Sequence, residues 1–118
     1  MQQYTDSDPL YTIHRGYTET TRMLMFHSTE LEANKLQEAL DIIKGYNAFD
    51  SKIVSKVLLN RFGDHYEYVV GREYSVVIYV IPKNNWAFTV EDMAGVQKEA
   101  LADEVSVDKT GRLRLWWD

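Results

Sequence analysis

The chain has 118 residues, 45% of them hydrophobic, 26% charged and 13% aromatic. That is the composition of one folded domain and excludes a disordered chain. Cysteine is absent, which removes disulfides, thiolate zinc centres, iron–sulfur clusters and a cysteine nucleophile together. Eighteen acidic against thirteen basic side chains give a net charge of −5, opposing the basic footprint that nucleic-acid binding requires.

No apolar run reaches the length of a membrane-spanning helix, and the polar start Met1–Pro9 lacks the apolar stretch of a secretion signal. A cytoplasmic chain is therefore expected, with no membrane partner. Residues 1–9 read as a flexible arm and residues 10–118 as a single α+β domain. Leu10–Tyr17 and Thr21–His27 read as the strands of an N-terminal hairpin. A first helix opens at Ser28-Thr29, where Thr29 and Glu32 have capping-box spacing. Leu36, Ala39, Leu40 and Ile43 then form an amphipathic stripe, and Gly45 supplies the cap. Asp50 or Ser51 caps a second helix whose inward face is Ile53, Val54, Val57, Leu58 and Phe62, with Gly63 ending it.

The centre reads as a three-strand meander, His65–Val70, Glu73–Ile81 and Trp86–Val90. Gly71-Arg72 suits a two-residue turn, and Pro82–Asn85 a four-residue one. The stretch Tyr74–Ile81 is apolar at both parities, which places it in mid-sheet with both faces covered. A third helix spans about Glu91–Asp103 on Met93, Val96, Ala100 and Leu101, with Gly95 costing about 1 kcal/mol relative to Ala. The chain closes on a hairpin turning at Asp108–Gly111, which pairs Val107 with Leu113 and Val105 with Leu115. Those four and Trp117 share one face, and Ser106, Arg112, Arg114 and Trp116 the other.

The familiar nucleotide-binding, nucleophile-elbow, zinc-protease and calcium-loop motifs are all missing. A two-residue turn at Gly71-Arg72 places His65 and Glu67 on the apolar Val76/Ile78 face, where they would serve as an acid/base pair or two metal ligands. A three-residue loop reverses the parity and removes them from it. Glu91, Asp92, Glu99, Asp103 and Glu104 against Lys98 give −4 over residues 91–104, an acidic stripe that steers toward a basic partner. Lys52, Lys56 and Arg61 bias the second helix the other way, toward nucleic acid or a salt-bridged seam against an acidic helix.

Fifteen aromatics remain. Phe26, Phe62, Tyr79, Phe88 and Trp117 fit inward faces, whereas Trp116 projects beside Arg112 and Arg114, where a guanidinium can lie over the indole; either the first hairpin covers it or it is exposed as a contact anchor. Tyr46 and Phe49 are the next candidates. The resulting expectation is a non-catalytic protein-binding module of inhibitor or adaptor type, binding no cofactor or metal. Its partner is a protein with a basic surface, such as a nucleic-acid-binding groove, a profile shared by small regulatory proteins of phages. The alternatives are a small enzyme or ligand-binding domain using His65 and Glu67, and a structural subunit of a homo-oligomer.

Overall fold

The computed structural model describes residues 7–18, 25–43 and 48–118. In chain order they form α1 (Tyr11–Thr18), β1 (Met25–His27), α2 (Ala33–Ile42), α3 (Ser51–Arg61), a 3-10 turn (Gly63–His65), β2 (Tyr66–Glu73), β3 (Ser75–Pro82), α4 (Val90–Ala100), β4 (Glu104–Val107) and β5 (Leu113–Trp116). The strands make one sheet in the order β1-β2-β3-β5-β4, with every neighbouring pair antiparallel. The fold class is α+β. Among the described residues no helix is long and apolar enough to cross a membrane.

All four helices pack on one face of this sheet. Leu10 and Ile13 lead the chain into α1, and Leu36, Ala39 and Leu40 come from α2. Val54 and Leu58 of α3 and Val96 and Ala100 of α4 join them against Tyr68, Val70, Val76, Ile78, Val80, Leu113 and Leu115. Trp117 is buried in the same core, donating its indole N–H to the Ala100 carbonyl at 3.0 Å and meeting the Phe49 ring edge-on at 5.1 Å. The opposite face carries a smaller cluster, Val69, Val77 and Tyr79 with Ile81 and Trp116. Long side chains of the sheet itself, and no described helix, lie over it. The central strand is thus covered on both faces, as expected, but by different means.

Four expectations are corrected. Leu10–Tyr17 is helix, because Asp8-Pro9 is a helix-start pair: the Asp8 carboxylate accepts from the Leu10 amide at 2.8 Å, and its carbonyl from Tyr11 at 3.0 Å. The expected N-terminal hairpin is therefore replaced by a helix followed by a strand, of which Met25–His27 is described; residues 19–24 lie outside the described residues. Helix α2 begins after Glu32, not at Thr29, since Leu31 first bridges to Tyr68 of the sheet. Its stripe is buried as expected, while Gly45 lies outside the described residues.

The β2–β3 hairpin turns at Tyr74, and Gly71 and Arg72 are inside β2. Gly71 is needed there because β1 passes so close that a Cβ would overlap the Phe26 carbonyl oxygen and lie 2.9 Å from His27 Cα. Residues 86–89 are not a strand. The edge of β3 that Trp86–Val90 would have used is taken by β5, pairing Val77 with Trp116 and Val80 with Leu113.

Other readings hold. Asp50 caps α3, accepting from the Lys52 and Ile53 amides. Val54 and Leu58 of that helix and Phe62 at its end are buried, but Ile53 is exposed and the Ser55 hydroxyl is buried without a hydrogen-bond partner among the described residues. The C-terminal hairpin has the expected register, Val107 with Leu113 and Val105 with Leu115. Helix α4 starts on a Thr89–Asp92 capping box and ends at Ala100, with Leu101 exposed in a left-handed conformation.

Candidate functional site

Strand alternation sorts the candidate residues onto two surfaces. Glu73 of β2, Tyr79 of β3, Arg112 beside β5, Arg114 and Trp116 of β5, and Met25 and His27 of β1 all project from the face without helices. Glu73 is their hub. Its Oε1 accepts from Arg114 Nε at 3.0 Å and Nη2 at 2.8 Å. Oε2 accepts from the Tyr79 hydroxyl at 2.6 Å and lies 2.7 Å from His27 Nε2. The Glu73 carbonyl accepts the Trp116 indole N–H at 2.8 Å, so Trp116 lies across the sheet above Val77.

The Glu73 side chain is only 16% exposed and Arg114 23%. Burial opposes ionisation of Glu73, yet the hydrogen bonds from Tyr79, His27 and Arg114 outweigh it and hold the carboxyl below its ordinary value. Burial and the neighbouring Glu73 charge push the Tyr79 phenol up. An ionised carboxylate has no proton to give, so His27 carries hydrogen on Nε2 and leaves Nδ1 as an acceptor when neutral.

At the tip of the same hairpin, Tyr74 has φ +66° and is 67% exposed. Arg72 Nη2 reaches its carbonyl at 3.5 Å. Met25, 52% exposed, pairs with Glu73 and stands on the same face. Tyr74, Met25 and Trp116 thus flank the Glu73 hub.

Of the residues singled out in sequence, Arg112, Arg114 and Trp116 are together here. Among the described residues no guanidinium covers the indole, however: Arg112 stacks over the Tyr79 ring, 4.5 Å from its centre. The acidic stripe is elsewhere, because α4 packs on the helical face. Asp92 belongs to the capping box, Glu99 accepts from Arg61 Nη2 at 2.6 Å, and Asp103 accepts from the Asp118 amide at 2.7 Å. The Arg61–Glu99 pair is the salt-bridged seam between α3 and α4, and the Arg61 guanidinium lies across Gly95, where a Cβ would overlap it. Glu91 stays exposed, and Glu104, 3.6 Å from Arg114 Nη1, joins the two surfaces at the sheet edge.

The His65–Glu67 pair does not form. With Tyr74 at the turn, Tyr68 pairs with Val80 and Val70 with Ile78 on the core face, and Glu67 falls opposite Ile81 on the other face. His65 is in the 3-10 turn with its ring 5.5 Å from Trp86. Glu67 is pushed up by burial first and then by Glu32, whose carboxylate Lys83 Nζ holds at 2.6 Å. Among the described residues no group of three or more His, Asp and Glu is arranged to hold a metal ion. Phe49 plugs the core, and Tyr46 lies outside the described residues.

Sequence reasoning missed Glu73, Tyr74, Met25 and His27. The available signal was the pairing of Glu73 and Ser75 around a single tyrosine, which a turn placed at Gly71 conceals. Comparison with protein-family models, curated proteins and solved structures finds no match to this chain.

Proposed function

We propose that this protein is a small non-catalytic binding module, of inhibitor or adaptor type, that acts by occupying a surface of another protein with the helix-free face of its sheet. One observation carries the reading: Tyr74 is an exposed aromatic in a left-handed backbone conformation. That conformation costs an L-residue about 1–2 kcal/mol, and glycine or asparagine would relieve it. A side chain kept at such a position is explained by what it touches outside the fold. Met25 and Trp116 extend the same surface with apolar area, and the hydrogen bonds of the Glu73 hub hold Trp116 and Arg114 in place before any partner arrives. Such preorganisation lowers the entropy lost on binding. The net charge of −5, with exposed Glu91 and Glu104, favours encounter with a basic partner surface.

The test is Tyr74→Gly. This variant is expected to be as stable as the parent or more so, yet to lose a partner that the parent retains from a lysate of the source cells. Trp116→Ala is expected to lose the same protein. Recovery of that protein unchanged by both variants overturns the reading. Light scattering at low and at about 0.5 M salt, where exposed charges are screened, decides whether the partner is a second copy, the homo-oligomer alternative.

A further inference from the structure

The helix-free face also carries a groove, further along β2 and β3 from the Tyr74 tip. It has a volume of about 370 Å³ and is lined by His27, Ser28, Thr29, Glu30, Val69, Tyr79 and Arg112. Val69 and Tyr79 are the floor, residues 27–30 one wall and Arg112 the other. The Arg112 guanidinium is fixed from two directions, by the Tyr79 ring beneath it and by Asp108, which accepts from Nε at 2.7 Å. Neither Nη group has a hydrogen-bond partner among the described residues, and the side chain is 39% exposed. A guanidinium held by its Nε edge and stacked on a ring presents its remaining two N–H pairs as a planar fork, the shape that matches a carboxylate.

The facing wall is of opposite character. The Glu30 carboxylate is exposed and has no ion pair among the described residues, and His27, giving Nε2–H to Glu73, has only an acceptor at Nδ1 when neutral. A second negative charge on a ligand is repelled there, whereas an ammonium or amide N–H is accepted. We infer that the groove is a binding site for a carboxylate bearing a nearby N–H donor, the chemistry of an amino acid or of the last residue of a peptide. Arg112 takes the carboxylate, and Glu30 with His27 takes the nitrogen. The site is filled by a small molecule with no protein partner present, so it stands or falls separately from docking at Tyr74.

The experiment is an NMR titration of the full chain, following the Arg112 Nε–H and the His27 ring, with glycine, acetate, inorganic phosphate and chloride at matched ionic strength. Glycine is expected to saturate both signals, acetate to bind about tenfold more weakly, and phosphate to match chloride. Arg112→Lys keeps the charge but loses the fork and is expected to weaken glycine about tenfold or more. Glu30→Gln, at an exposed position, is expected to bring acetate level with glycine. Saturation by phosphate ahead of glycine, a glycine response no larger than that to chloride, or one unchanged by Glu30→Gln overturns the assignment. A free carboxylate at the end of a short peptide against the same peptide amidated separates the peptide source from the free amino acid: loss on amidation assigns the carboxylate to Arg112, and no loss refutes it.

Discussion

Replacing Glu73 by Gln removes the charge of the hub and almost none of its volume. The carboxylate accepts four hydrogen bonds, two from Arg114, one from Tyr79 and one from His27. Glutamine keeps one acceptor oxygen for Arg114 and offers an amide to the other two partners, so the loss is that of charge assistance rather than of every bond. Hydrogen bonds to charged groups are worth about 1.5–3 kcal/mol. The nearest carboxylate left to the part-buried Arg114 among the described residues is then Glu104, at 3.6 Å, and the expected cost is about 2 kcal/mol at neutral pH. For a domain of this size that is a fall of about 8 °C in Tm.

The pH dependence is the sharper readout. The folded carboxyl is held below its ordinary value, so its contribution is complete above the unfolded pKa of about 4.3 and disappears as pH falls through the folded one. Urea unfolding followed by tryptophan fluorescence therefore gives a constant gap between parent and Glu73→Gln from about pH 5 to 8, closing below about pH 4. A gap under about 0.5 kcal/mol at neutral pH, or one that persists into acid, refutes the hub as an ionised network.

Three further perturbations test other parts of the structure. Asp108, held down to about 2 by the hydrogen bonds of Thr110 and Arg112 against its own burial, contributes stability that is present above about pH 4 and lost toward pH 2. Asp108→Asn is expected to cost about 1–2 kcal/mol at neutral pH and to flatten that acid limb in a pH series of thermal melts. Gly71→Ala drives a methyl group into β1 and is expected to cost about 2–4 kcal/mol, with faster hydrogen exchange at the Ser28 amide, which bonds the Val70 carbonyl at 2.9 Å. Ser55→Ala removes a buried hydroxyl that has no partner among the described residues and is expected to raise stability by about 1 kcal/mol in urea unfolding.

The terminal hairpin was legible in sequence because local chemistry determines it: Asp108 and Gly111 fix the turn, and period-two sorting fixes the register. The mid-sheet position of β3 was legible because no edge strand is apolar on both faces. The N-terminal segment misled because Tyr11, Ile13 and Tyr17 favour strand locally, while the signal from Asp8-Pro9 is confined to two residues. The central hairpin misled because glycine usually marks a turn. Here Gly71 marks a close approach between strands, and the turn falls on a tyrosine that propensity disfavours. Placing it two and a half residues early reversed the facing of β2 against β3, and so brought His65 and Glu67 onto the Val76/Ile78 face, which they do not share. The site followed the register, and the register depended on long-range pairing with β1 and β5.

The position of β5 has a consequence for synthesis. This strand is delivered after all the others, yet it lies between β3 and β4. A nascent chain that has emerged only as far as residue 107 holds β3 with one long edge unpaired, and β4 with no neighbour at all. Val80 and Ile78 then lack Leu113 and Leu115 as cross-strand partners, and the indole of Trp117 is missing from the core. Folding of this sheet on the ribosome must therefore wait for residues 113–117, and until they arrive the bare edge of β3 is the surface a chaperone has to shield.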